Sequence, residues 1–259
     1  MQIGLIGSGN MARAMARGWG ESVLCTDSGS GSAQALVDEL GGERVAGNRE
    51  LAERADLIVL CHKPYHLDAV AEELSGLATP VASVLGATST TALQAAYPQS
   101  QVFALMPNTA VEVRQGVVVY AEREPDPNFA LDRELERQVL ALFGRLGKVV
   151  TVPERLLATA TAISGVGPAY QALLAEAQVD AAVRKGLGSQ LAAELVTATM
   201  SGSAALIEAK GYDTLAVRRE VTSPGGSTAR GLEALEQAGV RSAFHDAIDA
   251  VVWPNGRPS

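Results

Sequence analysis

Short, nearly unbroken apolar runs recur along the N-terminal side of the chain, at residues 3–6, 22–26, 56–61, 80–85, 101–105, 116–121 and 148–152. Runs without polar alternation suit strands buried on both faces of a parallel sheet. Between them lie segments of helical character, among them residues 12–17, 33–40 (closed by Gly41 and Gly42) and 131–146. Strands alternating with helices predict an α/β fold with a doubly wound sheet. Past Val152 the pattern changes. Helices fit residues 153–163, 168–185, 189–210, 213–220, 226–238 and 241–252, and no strand is expected among them. Proline in the first turn (Pro153, Pro168) and Ser or Asp at the caps (Ser189, Asp213) support these starts. The expected boundary therefore divides an α/β domain, residues 1–152, from an all-helical one, residues 153–259.

The first predicted strand runs directly into Gly7-Ser8-Gly9-Asn10-Met11-Ala12, a G-x-G-x-x-A turn followed by helix formers. Asp27 closes the second strand about twenty residues on, as a dinucleotide-binding, Rossmann-like unit requires. Gly7 allows the sharp turn, Gly9 lets a pyrophosphate approach the backbone, and Ala12 keeps the helix close to the sheet. The anion then rests on free N–H groups at the positive end of that helix. Gly7, Ser8, Gly9, Asn10, Met11, Asp27 and Ser28 are thus candidate cofactor residues.

In an open α/β sheet the ligand lies beyond the carboxyl ends of the strands. His62-Lys63-Pro64, Gly86-Ala87-Thr88 and Met106-Pro107-Asn108-Thr109 follow three of the predicted strands, and each reads equally well as plain turn chemistry. Within the helical domain, the stretches SGVGPAY at residues 164–170 and VTSPGGST at 221–228 stand out. The latter sets glycines and hydroxyls at a helix start, a ready site for a carboxylate.

A net charge of −8 argues against nucleic acid, since a protein that tracks phosphates clusters Lys and Arg. Only 4% of residues are aromatic, so the core must be aliphatic and the helices closely packed. Ala192, Ala193, Ala198, Gly202, Ala204 and Ala205 place small residues on helix faces, which suggests contact with a second subunit. Cys25 and Cys61 end predicted strands and read as buried free thiols. His62 and His66 have Pro64 between them and no completing ligands, so no metal site is expected. Residues 156–175 carry no charge, but SGVGP interrupts them; two buried helices with a break are expected rather than a membrane span. With no cationic, apolar leader, the expectation is a cytoplasmic protein.

GLIGSGNMA, HKP, MPNT, ISGVGPAY and VTSPGGSTARGLEALEQAGVR, in that order, resemble pyrroline-5-carboxylate reductase over nearly the whole chain. That resemblance implies reduction of 1-pyrroline-5-carboxylate to L-proline, the last step of proline synthesis, with hydride from NADPH or NADH. It also implies a small-molecule substrate and a helical dimerisation domain, with a homodimer or a ring of dimers as the assembly. Residue by residue, it places Asn48 near the adenosine half of the cofactor and His62, Lys63, Pro64 and Leu85 near the ribose and nicotinamide. Ser223, Gly226, Ser227 and Thr228 would hold the substrate carboxylate, and Thr228 would face the imine nitrogen as the catalytic residue.

Three positions depart from the family pattern: Val166 in place of a small hydroxyl residue, Glu220 beside the substrate loop, and Gly211-Tyr212 where some members are acidic. Glu220 calls for neutralisation by Arg218 or Arg219. The competing readings are a β-hydroxyacid dehydrogenase, for which Lys185 is the only available lysine, and a dinucleotide-binding protein without turnover. For the cofactor, Asp27 favours NADH by its charge, while Ser28, Ser30 and Ser32 offer donors to a 2′-phosphate.

Overall fold

The structure, a computed structural model, describes residues 1–122 and 130–253. The chain forms two compact units, Met1–Pro168 and the residues from Ala169 onward.

The first unit is built on an eight-stranded sheet. Its strands are β1 (Ile3–Ile6), β2 (Val23–Thr26), β3 (Gly42–Arg44), β4 (Leu57–Leu60), β5 (Val81–Ser83), β6 (Val102–Pro107), β7 (Gly116–Glu122) and β8 (Gly147–Pro153). They lie in the order β3-β2-β1-β4-β5-β6-β7-β8. All neighbours are parallel except β6 and β7. Helices α1 (Asn10–Trp19), α2 (Ser32–Leu40), α3 (Asn48–Arg54), α4 (Leu67–Glu73), α5 (Thr90–Ala96) and α6 (Arg133–Gly144) connect the strands.

Alternate strand residues feed two separate cores. Ile3, Leu5, Val23, Leu57, Val59, Phe103 and Leu105 pack with α1, α2 and α6. Ile6, Leu24, Ile58, Leu60, Val81 and Val102 pack with α3, α4 and α5. Burial on both faces is why these strands are apolar throughout. Trp19 anchors the first core, edge-on to Phe143 at 5.5 Å, with its indole N–H donating to Leu142 O at 3.0 Å.

The strand β3 lies outside the sequence expectation, which read Gly41 and Gly42 only as the end of a helix. It is a three-residue, fully exposed edge strand with no apolar signal. Gly42 has φ +101°, and a Cβ there would meet Val23 O at 2.3 Å, so glycine is what lets the edge form.

The helical region also begins later than expected. Pro153 closes β8 rather than opening a helix; a 3-10 turn at Glu154–Leu156 and then α7 (Leu157–Ser164) follow. Glu154 accepts from the Thr90 N–H at 2.7 Å and from the Thr90 hydroxyl, at the start of α5. Asn108 donates through Nδ2 to Ser164 O at 3.0 Å. These bonds tie α7 to the sheet, so the compact units divide after Pro168, whereas the change from strands to helices falls near Val152.

The second unit comprises α9 (Ser189–Ala209), α10 (Thr214–Glu220), α11 (Ser227–Gln237) and α12 (Val240–Val252), with most of α8 (Gly167–Arg184). Ala192 is its only buried residue among those described. The break in the 156–175 stretch falls at Gly165 and Val166, as expected, but the helices on either side are not buried. Leu173 is 65% exposed and Ile163 61%. Among the described residues no helix is long and apolar enough to cross a membrane.

Candidate active site

The carboxyl ends of β1, β2 and β4 open onto one cavity of about 550 Å³. The glycine turn forms its floor. Gly7 has φ +93°, and a Cβ there would come within 2.8 Å of His62 N and 2.9 Å of Cys61 C. A Cβ on Gly9 would instead meet nothing within 4 Å, on a residue that lines the cavity. Ala12 is fully buried against the sheet. The turn is fastened to β2 through Thr26 O, which accepts from Gly7 N–H at 3.2 Å and from the Ser8 hydroxyl at 2.8 Å. Helix α1 starts without a capping side chain and without an acidic residue in its first turn. Its free N–H groups are left for an anion. These residues fit the pyrophosphate of a dinucleotide.

Of the sequence-derived cofactor residues, Gly7, Ser8, Gly9, Asp27, Ser28, Asn48, His62 and Lys63 line the cavity together. Asn10, Met11, Pro64 and Leu85 are not among its lining residues. Asn10 and Met11 belong to the first turn of α1, Pro64 opens an exposed 3-10 turn, and the Leu85 side chain is buried in the second core. Sequence reading did not find Thr26, Tyr65, His66 or Glu73, which also line it.

Asp27 and Asn48 are both held by their surroundings. The Ala33 and Gly29 amides hold the Asp27 carboxyl below the usual carboxylate range, with Ser30 and the charge of Arg44 adding to the effect. Asn48, at the start of α3, accepts from the Thr26 hydroxyl at 2.6 Å and donates to Glu73 at 2.7 Å. One amide hydrogen and one lone pair remain for a ligand. The signal for Glu73 is absent from the sequence, since it reaches Asn48 only through the packing of α4 on α3.

His62 sits beside Lys63, its Nδ1–H donating to Lys63 O at 2.8 Å. A carbonyl can only accept, so the neutral tautomer carries its proton on Nδ1 and leaves Nε2 as an acceptor. Burial pushes the His62 pKa down and favours that neutral form. Burial likewise raises the thiols of Cys25 and Cys61, which are free. Thiols kept protonated are poor nucleophiles and metal ligands. Among the described residues, no three His, Cys, Asp or Glu side chains gather as a metal site.

In MPNT, the side chain of Asn108 turns out to be structural. Its Oδ1 accepts from Val117 N–H at 3.2 Å while Nδ2 donates to Ser164 O, joining β6, β7 and α7.

In the second unit, the loop over residues 222–226 leads into α11. Gly225 has φ +67°, which favours glycine, and a Cβ on Gly226 would meet the Ser223 hydroxyl at 2.4 Å, so that hydroxyl would have to turn away. Gly226 N–H donates to Ser223 O at 3.1 Å and is therefore engaged within the loop. No side chain among the described residues caps α11, which leaves first-turn amides beside the hydroxyls of Ser227 and Thr228. Ser223 and Ser227 are exposed and Thr228 is half-buried.

Glu220 is neutralised by Lys210 at 2.9 Å rather than by Arg218, whose nearest ion pair is Glu236 at 3.6 Å. Gly211 and Tyr212, both at φ +67°, form the left-handed end of α9, with Tyr212 N–H returning to Ile207 O at 2.9 Å. Lys185 lies in the exposed turn after α8.

Comparison with known proteins accounts for both halves. Residues 154–253 match the family model described as pyrroline-5-carboxylate reductase dimerisation, and residues 2–85 that of NADP oxidoreductase, coenzyme F420-dependent. The chain is 32% identical to pyrroline-5-carboxylate reductase of Synechocystis, over 96% of this chain and 95% of that one. Among solved structures, a pyrroline carboxylate reductase of Plasmodium falciparum with NADP bound has a TM-score of 0.85 at 26% identity, covering 97% of this chain and 95% of that one. A pyrroline-5-carboxylate reductase of Coxiella burnetii gives 0.83 at 29% identity, over 97% and 96%. A fold, a cofactor turn and a dimerisation segment that agree along almost the full length lead to one conclusion: the chain belongs to the pyrroline-5-carboxylate reductase family.

Proposed function

We propose that this protein reduces 1-pyrroline-5-carboxylate to L-proline, using NADH or NADPH. The observation that carries the reading is the cavity at the carboxyl ends of β1, β2 and β4, floored by a glycine turn whose open backbone suits a closely approaching anion. The reduced nicotinamide supplies the hydride; the chain's residues bind and orient.

Gly7, Ser8 and Gly9 hold the pyrophosphate on the amide end of α1, where Asn10 and Met11 form the first turn. Asp27, Ser28 and Asn48 bound the adenosine half. His62 and Lys63 take the ribose and nicotinamide half, with Pro64 and Leu85 shaping the segments that present it. The substrate carboxylate rests on the hydroxyls of Ser223, Ser227 and Thr228 and on the amides opening α11. Gly226 serves by conformation, its own N–H being engaged.

As a hydride reaches the imine carbon, charge moves onto nitrogen. A donor there stabilises the transition state, and Thr228 is that donor. The protein works in the cytoplasm as a homodimer or a ring of dimers. Residues 1–152 serve as the cofactor domain and 153–259 as the substrate and dimerisation domain.

The test is cofactor oxidation with pyrroline-5-carboxylate against oxidation of small hydroxy acids. Turnover is expected with the first alone, and Thr228→Ala should lower kcat by about 10²- to 10⁴-fold, with little change in cofactor KM. A variant that keeps wild-type kcat would remove Thr228 from this role.

A further inference from the structure

The loop over residues 222–226 has spent some of its polar groups and kept others. The Thr222 hydroxyl donates to Arg218 O at 2.5 Å, and Gly226 N–H donates to Ser223 O. The hydroxyls of Ser223, Ser227 and Thr228 enter no hydrogen bond among the described residues. Ser223 Oγ lies against Gly226, the residue immediately ahead of Ser227 and Thr228. One side chain of α11 reaches back to this loop. Arg230, exposed and fourth in the helix, donates through Nη1 to Gly225 O at 2.8 Å. Gly225 is the left-handed residue of the loop, so this bond holds the carbonyl at the point where the chain turns into α11. A cation so near the positive end of a helix is ordinarily unfavourable. Arg218 and Arg241 are both offset by Glu236, whereas Arg230 forms no ion pair among the described residues. Its charge therefore adds to that of the first-turn amides.

We infer that Arg230 is a positioning residue for the substrate. Through Gly225 O it keeps the loop in the one shape that sets the Ser223 hydroxyl beside Ser227 and Thr228. The inference deepens the reductase reading and rests on it for the ligand, a carboxylate. Arg230 acts through the loop and not on the reacting atoms, which separates it from Thr228. The carboxylate keeps its charge throughout hydride transfer, so a residue that only organises its site contributes equally to the bound substrate and the transition state. Loss of such a residue raises KM and leaves kcat in place.

The experiment compares the full-length wild type with Arg230→Ala and Arg230→Lys by two readouts. In steady-state kinetics with pyrroline-5-carboxylate and saturating reduced cofactor, Arg230→Ala should raise the substrate KM about 5- to 20-fold, the loss of roughly one charge-assisted hydrogen bond. Its kcat should stay within about twofold of the wild type, and its cofactor affinity should not change. Arg230→Lys, which keeps a donor and the charge, should regain most of the loss. The second readout is hydrogen exchange followed by mass spectrometry, without substrate. There the amides of residues 222–228 should exchange about tenfold faster in Arg230→Ala, with the later turns of α11 unaffected. Loop exchange equal to that of the wild type would overturn the inference. So would an unchanged KM, or a lysine variant as impaired as the alanine one. Because exchange is read without turnover, a wild type that fails to reduce pyrroline-5-carboxylate counts against the reaction, while the exchange rates still decide whether Arg230 holds the loop.

Discussion

Gly7 and Gly9 sit two residues apart and are needed for opposite reasons. At Gly7 the backbone is left-handed and a side chain would strike the main chain of Cys61 and His62. Gly7→Ala should therefore cost folding stability, about 1–3 kcal/mol from the backbone conformation alone. At Gly9 a methyl group meets only open space, where the proposed pyrophosphate would lie. Gly9→Ala should leave the denaturation midpoint near that of the wild type while weakening nucleotide affinity. Chemical denaturation and nucleotide titration of the two variants check this. A Gly9 variant with unchanged affinity would place the pyrophosphate elsewhere.

Among the elements, the end of β6 shows how one side chain fixes several segments. Asn108 is buried, accepts from Val117 N–H and donates to Ser164 O. Asn108→Ala strands a donor on β7 and an acceptor on α7, at about 1–3 kcal/mol for each group left unsatisfied. Differential scanning calorimetry should show a lowered Tm; an unchanged Tm would mean that water replaces the amide at no cost. The sequence made MPNT visible as a strand end but could not say which way its asparagine faced.

The same limit runs through the fold. Apolar runs revealed seven strands; in most of them burial on both faces leaves no room for polar residues, while the edge strand β8 is apolar without being buried. The exposed β3 carries no such mark. Pro153 fits a helix start and a strand end equally well, and the pairing of β8 with β7, which takes in Pro153, decides between them in the folded chain. In the site, the glycine turn was legible because its three small residues answer local needs. The grip of Glu73 on Asn48, the return of Gly226 N–H to Ser223, and the choice of Lys210 by Glu220 depend on which helices meet. No local pattern encodes those.

At the scale of the whole molecule, the helical unit leaves large apolar side chains exposed among the described residues. Beyond Ala169 only Ala192 is buried among the described residues, while Leu173, Leu191 and Leu195 stand between 48% and 65% exposed. Burial of apolar area is the main source of stability, about 25 cal/mol per Å², and these faces gain it only against another surface. The matched dimerisation segment, residues 154–253, spans them. Ala204→Glu, on an exposed stretch of α9, should leave the chain folded but shift it to monomer in sedimentation velocity. A variant that sediments like the wild type would move the interface away from α9.

The central claim is hydride transfer to an imine, and isotope tracing tests it most directly. Reduced nicotinamide cofactor carrying deuterium at the transferable position is incubated with the protein and pyrroline-5-carboxylate, and the product is analysed by mass spectrometry and NMR. The account predicts L-proline with one deuterium on the ring carbon bonded to nitrogen, on the side away from the carboxylate, for each cofactor oxidised. Cofactor oxidation without labelled proline, or binding of the cofactor with no oxidation at all, would contradict it.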